Sequence, residues 1–436
     1  MLLLAAGLVA CADDDADVDD DAAVAAETST TMASASTEAA SVDTGDIALA
    51  AAFEFAQCMR DNGIANFSDP QIRADGDFFL SPPADVDDEE LRAADEACAH
   101  IAAVFRTDSG TSTTTDDLAA GWERIVPGGD CQCADGSEFS FWVREANPTK
   151  VLVYLQDGGA CFSAETCAPD SDAYNTTAEG PTGAGGIFDF ADERNPFADY
   201  SVVYVPYCTG DVHLGNTTTE YAEDLTVHHK GYVNGTAALD YVAASAPDAT
   251  DVVVVGESAG SIAAPLYAGL VSDRLSDAQI TVLADGSGSY PDVARIHEII
   301  AAWGFGTSVP PWLTSGNSTA EQWSFPSLFI RSGQHDPEIV FARHDYAYDE
   351  TQQRTSTMAG IPATDLLSQI DANETQIEAA GVNLLSYVAP GNEHTALSDG
   401  TFYTEEVNGQ SLVGWVTKLV DGETVKDVHC TDCTAK

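Results

Sequence analysis

The run Val252-Val-Val-Val255, leading into Gly256-Glu-Ser258-Ala-Gly260, constrains the fold more than any other stretch of the chain. Four consecutive valines read as a strand buried on both faces, the habit of a parallel sheet covered by helices. A Gly-x-Ser-x-Gly at the end of such a strand sets its serine on a sharp strand-to-helix turn. The hydroxyl is then held out of the sheet, and the following N–H can point at a developing oxyanion. In a chain with 35 glycines the pentapeptide alone is unspecific. The valines before it and the small apolar residues after it make Ser258 a candidate nucleophile.

The flanking sequence extends this to an α/β architecture. Strands are expected at 151–155, 201–205, 252–255, 280–283, 327–331 and 384–388, and helices at 237–244, 262–271 and 362–380. Apolar strands joined by helical connections give a mostly parallel sheet with helices on both faces, here over residues 118–436.

The chain ahead of that unit is composed differently. Residues 1–11 read as a lipoprotein-type signal peptide, with Leu8-Val-Ala-Cys11 marking Cys11 for lipid attachment. Residues 12–46 are Asp, Ala, Ser and Thr with little to bury, which reads as an acidic, disordered tether. In 47–106, Phe55 and Met59 recur at helical spacing, and Leu91, Ala94, Cys98 and Ile101 form a second apolar stripe. Cys58 and Cys98 fall on these two helices, so a disulfide would staple a small helical module whose core is too small to stand alone. Residues 107–117 are a second linker.

A serine nucleophile needs a base, and the base needs an orienting acid. On a parallel sheet of this kind the acid and then the base follow the serine in chain order, each on a loop past a strand. Asp336, after the strand expected at 327–331, and His394, after the last expected strand, fill those roles. Asp285 is a rival acid, and His335 and His344 are rival bases. The loop Gln156-Asp-Gly158-Gly159-Ala160-Cys161 follows the first apolar strand, and its paired glycines let backbone approach a substrate. It supplies the candidate oxyanion donors Gly159 and Ala160, with Ala259 as the third.

Three blocks carry a family resemblance: Leu152-Val-Tyr-Leu-Gln-Asp-Gly-Gly-Ala-Cys-Phe-Ser-Ala-Glu-Thr-Cys167, Val202-Val-Tyr-Val-Pro-Tyr-Cys-Thr-Gly-Asp211 and Gly256-Glu-Ser-Ala-Gly260. Together with Cys133-Ala-Asp-Gly-Ser137 they resemble the pectin acetylesterase/Notum family, in its bacterial branch, over most of residues 120–430. The resemblance implies an α/β-hydrolase fold and a serine carboxylesterase with Ser258, Asp336 and His394 as nucleophile, acid and base. It also implies a Cys161–Cys167 disulfide and no cofactor. Ala160 and Ser261 depart from the family's pattern, where Trp and a third Gly are frequent, so specificity beside the oxyanion hole is not carried over.

Composition narrows the partners. With 17 Lys+Arg against 71 Asp+Glu the net charge is −54, which excludes nucleic acid as a natural partner. Ten cysteines beside an export signal point to an oxidising compartment. Cys131, Cys133, Cys430 and Cys433 are therefore expected to be disulfides clamping the two ends of the catalytic unit rather than a zinc site. Cys208 is a possible participant, which would leave one thiol free. The expected molecule is an exported, membrane-anchored esterase that hydrolyses acetyl or other short acyl esters of carbohydrates or small alcohols. The alternatives are an esterase for lipid or protein acyl esters, and an inactive binding lipoprotein on the same fold.

Overall fold

The computed structural model describes residues 121–433, apart from 182–184, 307–308, 315–322 and 364; nearer the N-terminus it describes 55–60, 62–64, 67, 70–72, 78–79, 94 and 98. The expected signal segment with Cys11, the tether at 12–46 and the linker at 107–117 lie outside the described residues. The chain divides into two compact units, Met1–Ser112 and Thr113–Lys436.

In the first unit, residues 55–60 are helical and Cys58 is bonded to Cys98, as the sequence leads one to expect. Phe55, Met59, Ile64, Phe67 and Ala94 pack around this disulfide. Two short strands, Gln71–Ile72 and Phe78–Phe79, pair antiparallel.

The second unit is built on nine strands: β1 (Glu123–Ile125), β2 (Phe141–Arg144), β3 (Asn147–Leu155), β4 (Tyr200–Val205), β5 (Asp251–Glu257), β6 (Gln279–Asp285), β7 (Val340–Tyr346), β8 (Leu384–Ala389) and β9 (Val428–His429). Their order across the sheet is β9-β8-β7-β6-β5-β3-β4-β2-β1. From β9 to β4 every neighbouring pair is parallel, and β2 and β1 complete the edge antiparallel. The period-two alternation of a strand divides the core. Val252 and Val254 of β5 join one apolar layer, and Val253 and Val255 join the layer on the other face. The first layer packs against α1 (Gly231–Ser245), α2 (Ala259–Ser272), α3 (Ala294–Ala302) and α4 (Phe325–His335); the second packs against α7 (Leu412–Val420). Between them in sequence run α5 (Glu350–Met358) and α6 (Leu366–Ala379). Among the described residues no helix is long and apolar enough to cross a membrane.

One expected strand is a helix. Residues 327–331 belong to α4, where Phe325, Leu328, Phe329 and Ser332 are buried at helical spacing. Pro326 sits in its first turn, and the Ser327 hydroxyl accepts the Ser324 N–H at 3.0 Å. The strand that belongs there is β7, whose sequence Val340-Phe-Ala-Arg-His-Asp-Tyr346 hides its burial behind three ionisable residues. They are tolerated because each finds a partner: Arg343 Nε lies 2.7 Å from Asp345, and His344 Nδ1 lies 2.6 Å from Asp285.

Candidate active site

Ser258 occupies the turn between β5 and α2 with φ 49° and ψ −112°, a conformation in which a non-glycine residue is strained. The turn closes because its flanking glycines lack side chains. A Cβ on Gly256 would strike the Gly260 carbonyl, and one on Gly260 would strike the Leu155 carbonyl. The Ser258 N–H donates to the Asp285 carbonyl at 2.8 Å, and the Ser261 hydroxyl donates to the Ser258 carbonyl at 2.8 Å. Ser261, which departs from the family's pattern, thus closes the elbow itself. The positive end of α2 lies directly behind the serine.

The loop after β3 passes beside it. Gly158 and Gly159 take φ of 153° and 76°, with the Tyr207 ring and the Ala173 carbonyl filling the space a side chain would need. The loop is fixed to the facing segment by Asn175 N–H to the Gly158 carbonyl (2.9 Å) and Ala160 N–H to the Ala173 carbonyl (3.0 Å). The Ala160 amide is thereby spent and is not free to act as the oxyanion donor expected of it. Among the described residues the N–H groups of Gly158, Gly159 and Ala259 have no acceptor in the chain.

His394 follows β8, as expected. Its Nδ1 lies 2.7 Å from Asp349 Oδ2, while its buried Nε2 has no partner among the described residues. His394 and Ser258 line one pocket of about 380 Å³. Phe162, Ile262, Ile296, Ile299 and Trp303 give the pocket an apolar wall, and Asp157 and Arg354 also line it. Burial pulls the His394 imidazole down, but the Asp349 hydrogen bond and the charges of Asp349, Asp285 and Asp157 outweigh it and hold it above 6.5.

The carboxylate that reaches His394 is Asp349, not Asp336. Asp336 ends α4 and accepts the Glu338 N–H at 3.0 Å. It precedes β7, whereas Ser258 follows β5, and the two strands run parallel; the seven residues of β7 therefore put roughly 20 Å between Asp336 and the site. Asp349 lies just past the other end of β7, fully buried, where it caps α5 by accepting the Gln352 N–H at 2.8 Å. Because residues 327–331 are helical and the strand is β7, the carboxylate beside His394 comes one element later than the expected acid. The local signal for the right one is Asp349-x-x-Gln352, the pattern of a capping box.

The rival residues are engaged elsewhere. Asp285 Oδ1 meets His344 Nδ1 at 2.6 Å, and its Oδ2 accepts the N–H groups of Ala396 (2.8 Å) and Leu397 (3.0 Å). His335 bonds Asp273 at 2.8 Å and stacks on Trp312. Glu257, beside the serine, is fully buried: Tyr154 Oη donates to it at 2.5 Å and the Ser398 N–H at 3.2 Å. Burial and the nearby Asp285 push this carboxyl up to about 8.

The cysteines pair locally. Cys161 bonds Cys167, as the resemblance implied, but Cys133 bonds Cys208 and Cys430 bonds Cys433. Among the described residues no disulfide joins the two ends of the unit, and Cys208, which follows β4, is the partner of Cys133. Cys131 is left as a thiol, and burial together with Asp130 pushes it up to about 11. Cys161, Cys167 and His229 come close enough together to hold a metal ion, but the two sulfurs are joined in a disulfide and His229 is committed to the Thr209 carbonyl and Tyr221 Oη. That donor set does not fit a metal.

Residues 127–309 match the sequence model of the pectinacetylesterase family, a stretch that contains Ser258 and ends before Asp349 and His394. Among curated proteins, the palmitoleoyl-protein carboxylesterase notum2 of Xenopus laevis is 27% identical over 135 residues, covering 29% of this chain and 27% of that protein. The inactive palmitoleoyl-protein carboxylesterase notum1b of Danio rerio is 31% identical over 101 residues, covering 22% of this chain and 73% of that protein. Among solved structures, the Wnt deacylase Notum from Drosophila superposes with a TM-score of 0.54 at 16% identity, over 72% of this chain and 97% of the other. The matched stretch thus spans about a quarter of the Xenopus relative's length.

Proposed function

The chain belongs to the pectinacetylesterase and Notum family, and we propose that it is a serine carboxylesterase acting through Ser258, His394 and Asp349. The observation that carries this reading is the state of His394. One ring nitrogen is held by a buried carboxylate, and the other is unpartnered in the same pocket as a serine on a strained elbow.

The chemistry follows from the hydrogen bonds. Asp349 accepts the Nδ1–H, which leaves Nε2 as the basic nitrogen of neutral His394. Nε2 takes the Ser258 hydroxyl proton as Oγ attacks an ester carbonyl. The negative charge that develops on the carbonyl oxygen meets the free N–H groups of Ala259 and of Gly158 or Gly159, backed by the α2 terminus. His394 then protonates the departing alcohol, and a water repeats the sequence to release the acid. The apolar wall around Trp303 suits the acyl group, and the polar side at Asp157 and Arg354 suits the alcohol. The substrate class is an acyl ester of a carbohydrate or other hydroxylated alcohol. The disulfides suit an exported enzyme, and attachment through Cys11 would hold it at a membrane surface.

The test is labelling with a fluorophosphonate, which reacts with an activated serine whatever the natural substrate. The wild-type chain should label at one site, and Ser258→Ala should not label. Absent labelling of the wild type, or equal labelling of the variant, would sink the proposal in favour of an inactive binding protein.

A further inference from the structure

We propose that Gln352 is a positioning residue that holds Asp349 in register with His394. This rests on the reading of Ser258, His394 and Asp349 as the reacting group. Gln352 is fully buried in the first turn of α5, and every polar atom of its side chain is engaged. Its Oε1 accepts both the N–H (3.0 Å) and the hydroxyl (2.7 Å) of Ser289, in the loop after β6. A backbone N–H can only donate, so the amide cannot turn over, and Nε2 must face the opposite way. There it donates to Asp349 Oδ2 at 2.9 Å, the same oxygen that meets His394, and more distantly to Asp345 Oδ1 at 3.4 Å. The Gln352 backbone N–H holds the other Asp349 oxygen at 2.8 Å.

One residue therefore grips both oxygens of Asp349 and ties them to the end of a neighbouring strand. Asp345, on its far side, is itself fixed by Arg343 (2.7 Å) and the Gly288 N–H (2.6 Å). The groups that act on His394 from the surrounding elements are Asp349, Asp285 and Asp157; of these, Asp349 is the one whose orientation depends on Gln352. Glutamine suits this place because it donates at one end and accepts at the other. A glutamate would set a third carboxylate between Asp345 and Asp349, and a methionine would fill the space without either bond.

The experiment is a double-mutant cycle on the rate of fluorophosphonate labelling, using Gln352→Met, Asp349→Asn and the pair. If Gln352 acts through Asp349, Q352M slows labelling about 10- to 100-fold in the wild-type background and less than about 2-fold when Asp349 is already Asn. Equal losses in both backgrounds would mean general damage and overturn the proposal. A second readout does not need activity: NMR titration of the His394 ring, assigned by its loss in His394→Gln. Freeing the Asp349 carboxylate weakens the bond that lifts His394, so Q352M should lower its titration midpoint by roughly half a pH unit or more. An unchanged midpoint overturns the proposal, and so does a rise, which would mean that Gln352 draws charge from Asp349 instead of holding it. If Q352M does not fold, Ser289→Ala, which strips one of the two donors fixing the amide, should move the midpoint in the same direction, and no movement counts against the proposal. If the wild type does not label, the esterase reading falls while the titration still decides this one.

Discussion

Replacing Glu257 by Gln should remove a pH-dependent loss of stability. Glu257 is fully buried beneath the serine turn, with Tyr154 Oη on one oxygen and the Ser398 N–H on the other. Burial comes first and the charge of Asp285 second in pushing its carboxyl from 4.5 to about 8. The folded chain therefore keeps a proton that the unfolded chain has released. Stability from this group is fully present below pH 4.5 and is lost as pH rises towards 8. The wild type should lose on the order of 3 kcal/mol between about pH 6 and about pH 9 on this account. Gln is isosteric, still accepts the Ser398 N–H through Oε1, and has nothing to ionise. The two proteins should be of similar stability below about pH 4.5, and the variant should become increasingly the more stable from there towards about pH 9. Urea unfolding followed by tryptophan fluorescence measures this in the second unit, because all six tryptophans lie beyond residue 113. Curves for the two proteins that stay parallel from pH 6 to 9 would refute the argument, since they would mean that Glu257 is already ionised or that its ionisation is relieved by water.

Two further outcomes separate the assignments at the site. Asp349→Asn should lower the rate of ester cleavage by about 10³- to 10⁴-fold with little change in unfolding midpoint, whereas Asp336→Asn should leave it unchanged; the reverse pattern, in purified variants assayed on a p-nitrophenyl ester, would restore Asp336 as the acid. The rate should fall as pH drops through the raised His394 value, so the acid limb of kcat/KM should lie above 6.5 and move when Asp285 is replaced; an acid limb below 6.5 would mean that burial dominates the imidazole.

The parts of this molecule that were legible in the sequence are those where local pattern and tertiary role agree. The four valines of β5, the glycines around Ser258 and the small-residue start of α2 each point to the elbow without help from the rest of the chain. The His394 loop was equally plain because β8 is apolar and ends in a turn. The acid was not. β7 is a central strand whose middle is Arg343-His-Asp345, and no apolar-run rule finds a buried strand whose charges are neutralised by one another and by Asp285. The apolar stripe of α4 took its place, since Leu328-Phe-Ile330 looks like a strand until the spacing of Phe325 and Ser332 is counted. Ala160 was misjudged for a different reason: which amides of a glycine loop remain free depends on the segment opposite, here Ala173 to Asn175, which local pattern does not reveal. The expected clamp between Cys131 or Cys133 and Cys430 or Cys433 is absent for the same reason, with Cys208 brought to Cys133 by the sheet rather than by proximity in the chain.

The two carboxylates at the ends of β5 and β6 have a consequence for how this protein can vary. Asp285 takes the N–H groups of Ala396 and Leu397, and Glu257 takes that of Ser398. The segment just after His394 is thus moored to the strand that leads into Ser258 and to its immediate neighbour, not to the long excursion between β6 and β7. Helices α3 and α4, which supply part of the apolar wall, lie within that excursion. Insertions, deletions or exchanges there can reshape what the pocket accepts while the serine and the histidine keep their mutual distance. Recognition and reaction are, in this fold, separately inheritable.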